Sequence, residues 1–314
     1  MKVYPKSTHG TKAWLLDRWK DENGFCIFGA SDIPALMGAS NYTSRGDLYA
    51  DKLCEPVEKE TTAVFQRGND LEPALLVAAS RQLGKTIFTP DVIYRDNRLS
   101  ISLDGVDDQY QPTVIVEAKT TTRYSVYDET DIPEEWNWQM QAQMSVLNVP
   151  CFLVVLDRDM RISVVECKRD EEMIQALLEE SENFGAMIDA NLPTPELIEE
   201  FTCDVVAKVF KPEPTSVELP VEAVDWAKQL DEARAMAKQA ADLESKAKDA
   251  LAQMLLGNEV GTVNGVQLIT WKQQAGKTSL DTRTLREEHP ELVKQYEKQG
   301  APFRVMRITK GKAK

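Results

Sequence analysis

Ser102-Leu103-Asp104-Gly105 and, a short way downstream, Val114-Ile115-Val116-Glu117-Ala118-Lys119-Thr120 decide how this chain is read. The apolar run Val114 to Val116 is that of a buried strand, and alternation along it sends Glu117 and Lys119 to one face. An acid and a lysine then point together towards whatever Asp104 faces. Two carboxylates hold a divalent cation through oxygen, and a lysine beside them orients a water or stabilises charge developing next to a phosphate. Such a set suits the cutting of a phosphodiester. Glu-x-Lys also occurs on exposed strands as a solvated cross-face ion pair, so the surroundings decide between the two.

Those surroundings carry more chemistry. Phe65-Gln66-Arg67-Gly68-Asn69-Asp70-Leu71-Glu72-Pro73 begins a helical pattern and brings a further acid, Glu72, upstream of the strand. Trp136-Asn137-Trp138-Gln139-Met140-Gln141-Ala142-Gln143-Met144 continues as a helix. Gln139 and Gln143, four apart, share a face of it, while Gln141 looks outward from another.

In ordered blocks from about Gly10 to about Arg161 the chain resembles the YqaJ-like viral recombinases, the lambda-exonuclease-like family of the PD-(D/E)xK nuclease superfamily. Gly10-Thr11-Lys12-Ala13-Trp14 with Arg18 is similar to the family's opening helix, and Gly29-Ala30-Ser31-Asp32-Ile33 to its next block. Arg67-Gly68 with Glu72, Ser102 with Asp104-Gly105, Glu117 with Lys119, and the glutamine helix follow in order. The resemblance implies a restriction-endonuclease-like α/β fold, a mixed sheet flanked by helices. It implies that Asp104 and Glu117 bind catalytic magnesium, with the carbonyl of Ala118 as an extra ligand, two ions in all, and manganese able to substitute. Lys119 would assist the attacking water. Glu72 would stand behind the ligands or contribute to a second metal, and Gln141 would touch metal-bound water or the scissile phosphate. Arg18, Ser31 and Ser102 match positions that hold the terminal 5′-phosphate; Arg123 adds to that pocket, although its offset from Lys119 departs from the family spacing. Leu103 stands where the family often has proline, a backbone change that leaves the ligands intact.

The activity so implied is a magnesium-dependent exonuclease that loads on linear double-stranded DNA ends and degrades one strand from 5′ to 3′. It leaves a 3′ single strand for a single-strand annealing protein. A homotrimeric ring and a phage or mobile-element origin within a bacterial cytoplasm are implied in the same way. Polarity, processivity and the ring are not readable from spacing or composition.

Plainer readings stand beside these. Arg18, with Lys12 and Lys20, also fits a solvated helix face, and Ser31-Asp32 fits a helix cap, which is itself a ready phosphate site. Trp14, Trp136 and Trp138 read as core aromatics before base-stacking platforms. His9 and His289 are too few and too far apart for a histidine metal site or a Ser-His-Asp triad.

With 314 residues and 42% hydrophobic content, the chain can bury one large core and leave material for a second unit. There is no run of eighteen apolar residues, and Met1-Lys2-Val3-Tyr4-Pro5-Lys6 lacks an apolar signal core, so no membrane span or secretion is expected and the cytoplasm is the expected compartment. The five cysteines, Cys26, Cys54, Cys151, Cys167 and Cys203, are scattered, which disfavours disulfides and excludes a close-spaced zinc or iron–sulfur quartet. The net charge of −14 weighs against non-specific DNA binding. Acid gathers at 128–135, 170–182 and 196–200, whereas 2–20 and 120–124 are locally basic, so an acidic exterior around a narrow basic channel remains compatible with DNA.

Along the chain, helices are expected over Lys12–Trp19, Ser31–Met37, Arg45–Leu53, Leu71–Leu83, Glu134–Leu147 and Glu171–Ala190. Strands are expected near Thr86–Pro90, Ile93–Arg95, Leu99–Leu103, Thr113–Lys119, Cys151–Leu156 and Ile162–Cys167. A nuclease domain over 1–210 would be followed by a proline-marked linker at 211–220 and an accessory domain over 221–314. In that domain a long amphipathic helix from Trp226 to Met254, alanine-rich along its seam, stops at Gly257-Asn258. An Asn264-Gly265 hairpin follows between Glu259–Val263 and Val266–Lys272, then helix from Asp281 to Glu297 and a strand near Phe303–Ile308. This unit is either an inert cap or a docking arm, and the basic tail Lys310, Lys312 and Lys314 fits both. Two further readings compete with the exonuclease: an inactive nuclease-fold module that binds DNA ends or a protein, and an endonuclease on the same core.

Overall fold

Hydroxyl and carboxylate caps fix where most helices of the N-terminal half begin, and left-handed residues fix where several end. In the computed structural model, which describes residues 1–8, 10–57, 62–298, 300 and 303–308, the chain forms two units, Met1–Pro212 and Glu213–Lys314. The first opens with strand β1 (Lys2–Pro5) and helices α1 (Lys12–Leu16), α2 (Ile33–Leu36), α3 (Arg45–Leu53) and α4 (Ala63–Leu83). Thr11 caps α1, Ser44 and Asp47 form a capping box on α3, and Thr62 caps α4. α4 ends at Gly84, whose φ of 64° is the left-handed conformation that closes a helix without a Cβ penalty.

Strands β2 (Val92–Asp96), β3 (Leu99–Ile101), β4 (Gly105–Val106) and β5 (Ile115–Thr120) follow, then α5 (Glu134–Leu147), β6 (Cys151–Leu156), β7 (Ile162–Cys167), α6 (Glu171–Ala190), α7 (Pro195–Glu199) and α8 (Cys203–Val209). β1, β2 and β3 make an antiparallel three-stranded sheet. The four-stranded sheet runs β4-β5-β6-β7 and is mixed: β5 and β6 are parallel and joined through α5, while β4 and β7 pair antiparallel at the edges. It is an α/β fold with a mixed sheet between helices.

Alternation along β5 and its approach separates two cores. Val114 and Val116 join Leu75, Leu76 and Ala79 of α4 on one side of the sheet. Ile115 joins the larger core on the other, with Met140 and Met144 of α5, Leu177 and Phe184 of α6, and Leu153 and Val155 of β6. Gly105 sits where no side chain fits: a Cβ there would lie 2.7 Å from Ile87 Cγ2 and 2.8 Å from Leu76 Cδ2. That contact lets β4 approach β5 beneath α4 and sets the place of the adjoining Asp104.

Several boundaries depart from the sequence reading. α1 stops at Leu16 and not Trp19. The expected Ser31–Met37 helix is a 3-10 turn, Ala30–Asp32, followed by α2. α4 starts eight residues before Leu71 and carries Pro73 inside it. Thr86–Pro90 forms no strand; Phe88 makes an isolated antiparallel bridge to Val106.

The second unit contains α9 (Ala223–Leu255), the antiparallel hairpin of β8 (Val260–Val263) and β9 (Val266–Thr270), α10 (Thr282–Glu288) and α11 (Pro290–Tyr296). Asn264 and Gly265, at φ 51° and 77°, form the hairpin turn that their types favour. The helix expected through Glu297 is broken at His289, and Phe303–Ile308 carries no strand. His9, Lys310, Lys312 and Lys314 lie outside the described residues. Among the described residues no helix is long and apolar enough to cross a membrane.

Candidate active site

Glu117 lies on the α5 side of β5, 2% exposed, with both carboxylate oxygens engaged. Lys119 Nζ stands 2.6 Å from its Oε1. Gln139 Nε2 donates to the same oxygen at 2.6 Å, and Gln143 Nε2 donates to Oε2. Lys119 also donates to Gln139 Oε1 at 3.0 Å, closing a ring of three side chains. The thiol of Cys151 donates to Gln143 Oε1 at 3.5 Å, so the amide presents its NH2 to the carboxylate. Burial pushes that thiol well above its ordinary range, with Cys167 and Glu117 adding to the shift, and it stays a neutral donor. Asp104, at the foot of β4, accepts from the backbone N–H of Ala118 through Oδ2 at 2.9 Å. One carboxylate thus reaches the strand edge and the other hangs from its face.

The charges feel one another. Burial, then Glu117 and Glu72, push the carboxyl of Asp104 well above the usual carboxylate range, with Lys119 opposing. Burial and Glu117 raise Glu72 on α4, while Lys6 and Lys119 pull it down. Burial works against the ammonium of Lys119, but Glu117 and Asp104 outweigh it and hold the lysine protonated, above its ordinary value. A divalent cation would relieve this crowding of acids. Among the described residues no three acidic, histidine or cysteine side chains stand as a ready metal cage. Asp104, Glu117 and the carbonyl of Ala118 nonetheless supply hard oxygens in the number a small divalent cation uses when water or phosphate completes its shell.

Gln141 is elsewhere. It was expected at the scissile phosphate, but its Nε2 donates to Asn137 Oδ1 at 2.9 Å and to the carbonyl of Lys168 at 2.7 Å, and its Oε1 accepts from the N–H of Asp170 at 2.9 Å. It pins α5 to the start of α6. Gln139 and Gln143 share one face of α5, as their four-residue spacing indicates, and the structure shows that this face meets Glu117.

Arg18 and Ser31 meet: the guanidinium approaches Ser31 Oγ at 3.5 Å and stacks on the ring of Trp14 at 3.6 Å. Burial lowers the pKa of Arg18, with Asp32 opposing. Lys52, which the sequence reading left out, holds this corner together with Asp32, the cap it named. Lys52, 6% exposed, donates to the carbonyl of Arg18 at 2.6 Å and pairs with Asp32 Oδ2 at 2.6 Å, while Asp32 caps the N–H of Gly29 at 2.7 Å. The signal for Lys52 was its spacing, four residues after Leu48 on the buried face of α3. Ser102 is half-buried beyond β3, and Arg123 is exposed over the ring of Tyr42 at 5.4 Å. Among the described residues no hydrogen bond or ion pair joins either to Arg18 or Ser31. Trp136 is a core aromatic, edge-on to Tyr124 at 5.7 Å, and Trp138 packs partly buried against the same core.

Residues 13–149 match the family model described as the YqaJ-like viral recombinase domain, and Asp104, Glu117, Lys119, Gln139 and Gln143 all fall within the match. Among solved structures, the chain is similar to an alkaline exonuclease, LHK-Exo, from Laribacter hongkongensis. The identity is 22%, over 60% of this chain and 96% of that one, with a TM-score of 0.46. A phage-related exonuclease from Haemophilus somnus 129PT is similar at 15% identity over 56% of this chain and 96% of that one, with a TM-score of 0.39. No curated protein matches the chain.

Proposed function

We propose, starting from the YqaJ-like viral recombinase domain at residues 13–149, that this chain is a magnesium-dependent nuclease that degrades linear double-stranded DNA from its ends, 5′ to 3′. The observation that carries the reading is the buried Glu117, held by Lys119, Gln139 and Gln143 beside Asp104. A carboxylate fixed by three donors in the sheet interior costs stability by its desolvation, and a solvated surface pair would need none of this scaffolding.

Each residue then has a task. Gln139 and Gln143 fix the orientation of Glu117, and the Ala118 N–H fixes that of Asp104. Asp104, Glu117 and the Ala118 carbonyl would hold magnesium, as two ions, or manganese in its place, which would supply a Lewis acid for the scissile phosphate. Lys119, kept protonated by its acidic neighbours, orients the attacking water and offsets negative charge as it develops on the phosphate. Glu72 adds negative charge at the rear of the site. Arg18 and Ser31 offer a guanidinium and a hydroxyl to a terminal 5′-phosphate, which would set the polarity; Ser102 and Arg123 are weaker members of that pocket. The resulting 3′ single strand would pass to a single-strand annealing protein. A ring of three copies would give a protein of net charge −14 a locally basic path for DNA.

The test is digestion of a linear duplex labelled separately at its 5′ and 3′ ends, in magnesium, beside a covalently closed circle and the Lys119→Ala protein. Mononucleotides from the 5′ label, an intact circle and an inert variant are expected. Cutting of the circle would replace the reading with an endonuclease, and no cutting at all would replace it with a binding module.

A further inference from the structure

Among the described residues, the long helix of the second unit carries a stripe that is exposed along most of its length, with Leu230 and Leu251 half-buried. From Trp226 to Met254 a seam recurs at alternating spacings of four and three residues, the repeat of a two-stranded coiled coil. Trp226, Met236, Leu243 and Met254 on or beside it are 69%, 66%, 67% and 78% exposed. The alanines between them, Ala233, Ala237, Ala240 and Ala247, are exposed as well. At about 1.5 Å per residue the seam is about 42 Å long, and a lone helix with such a stripe is half of an interface.

We infer that α9 pairs with α9 of a second copy of this chain, antiparallel. Turning the helix end for end about the point between Lys238 and Gln239 maps the seam onto itself. Trp226 then meets Leu251 of the partner helix, Leu230 meets Ala247, Ala233 meets Glu244, and Ala237 meets Ala240, large residues opposite small ones at two of the four layers. Met236 flanks the seam against Leu243 of the other copy. Charge selects this orientation. Glu244 is the one acid in the seam, and a parallel in-register pair would set it against its own copy, a like-charge contact in an apolar interface. The antiparallel pair sets it beside Ala233 and Arg234, so each end gains an interchain ion pair. Within one chain Glu244 is paired with Lys248 at 2.5 Å, and Arg234 lies 3.9 Å from Asp231 and donates to the carbonyl of Met306 at 3.5 Å, all surface contacts that an interchain pair would replace. The central alanines let the backbones come close, since interaxial distance follows the side chains at the contact.

The experiment uses the full chain. Leu230→Cys and Ala247→Cys proteins are prepared separately and then oxidised alone and mixed, with the cross-linked peptides identified by mass spectrometry. A disulfide between residue 230 of one chain and 247 of another, formed only in the mixture, is expected. A 230-to-230 link from the first protein alone would overturn the antiparallel pair. In parallel, light scattering on Ala237→Glu/Ala240→Glu, a change that keeps helix-forming residues on α9, should give a smaller assembly than the unsubstituted chain. Unchanged mass together with no 230-to-247 link would overturn the inference and leave the seam to a different partner.

Discussion

The two faces of β5 carry opposite chemistry on one backbone. Towards α4, Val114, Val116 and Ala118 meet Leu75, Leu76, Ala79 and Ile87 in an apolar cluster. Towards α5, the same strand offers Ile115 deep in the core, then Glu117 and Lys119 among glutamines. The difference teaches that the apolar face holds the sheet in place while the polar face uses the resulting rigidity to keep a costly carboxylate buried and oriented. Damage to the first should appear as lost stability and damage to the second as lost chemistry.

The largest expected effect is on the polar face. Lys119→Ala should lower the cutting rate on linear duplex on the order of a hundred- to thousandfold, the usual cost of losing one charge-stabilising donor, as measured under single-turnover conditions. On the opposite face, Leu76→Ala removes a side chain that is 5% exposed and should cost about 2–5 kcal/mol in denaturant unfolding, with the rate per folded molecule retained. Gly105→Ala breaks the separation, because the added methyl collides with Leu76 and Ile87 and displaces the neighbour of Asp104. We expect a loss of about 1–3 kcal/mol together with a fall in rate, and a stable variant with full activity would show that β4 does not position the acid.

The glutamine helix sharpens the contrast, and it also shows what was legible in the sequence. Gln141→Ala should cost about 1–3 kcal/mol through the orphaned Lys168 carbonyl and Asp170 N–H and leave the rate alone, whereas Gln139→Ala should do the reverse. The period-two alternation of β5 and the four-residue spacing of Gln139 and Gln143 were readable because each depends only on local geometry. The placement of Gln141 at the phosphate rested on the family resemblance, whereas in the structure its amide is taken up by Asn137, the Lys168 carbonyl and the Asp170 N–H. β1, of four residues, was illegible because its partner β2 lies far along the chain, and β4, of two, because so short a strand carries no alternation. A helical pattern was legible from Phe65, but the helix was expected only from Leu71 because Gly68 and Asn69 are poor helix formers; the Thr62 cap and the packing further along hold that turn. Lys52 reads as a surface lysine until α3 is seen to bury it against Asp32.

The smallest expected change in stability is at Asp104. Burial and two neighbouring acids disfavour the charge of Asp104, so Asp104→Asn should raise the melting temperature slightly in chelator at neutral pH while abolishing cutting. A lower melting temperature would mean that its bond to the Ala118 N–H outweighs the repulsion.

The central claim, that the buried acid and lysine of β5 perform hydrolysis, is tested most directly by following mononucleotide release from a linear duplex in magnesium with the unsubstituted and Lys119→Ala proteins, and recording circular dichroism on the same samples. The account predicts matching spectra and release by the first protein alone. Equal release by both would contradict it.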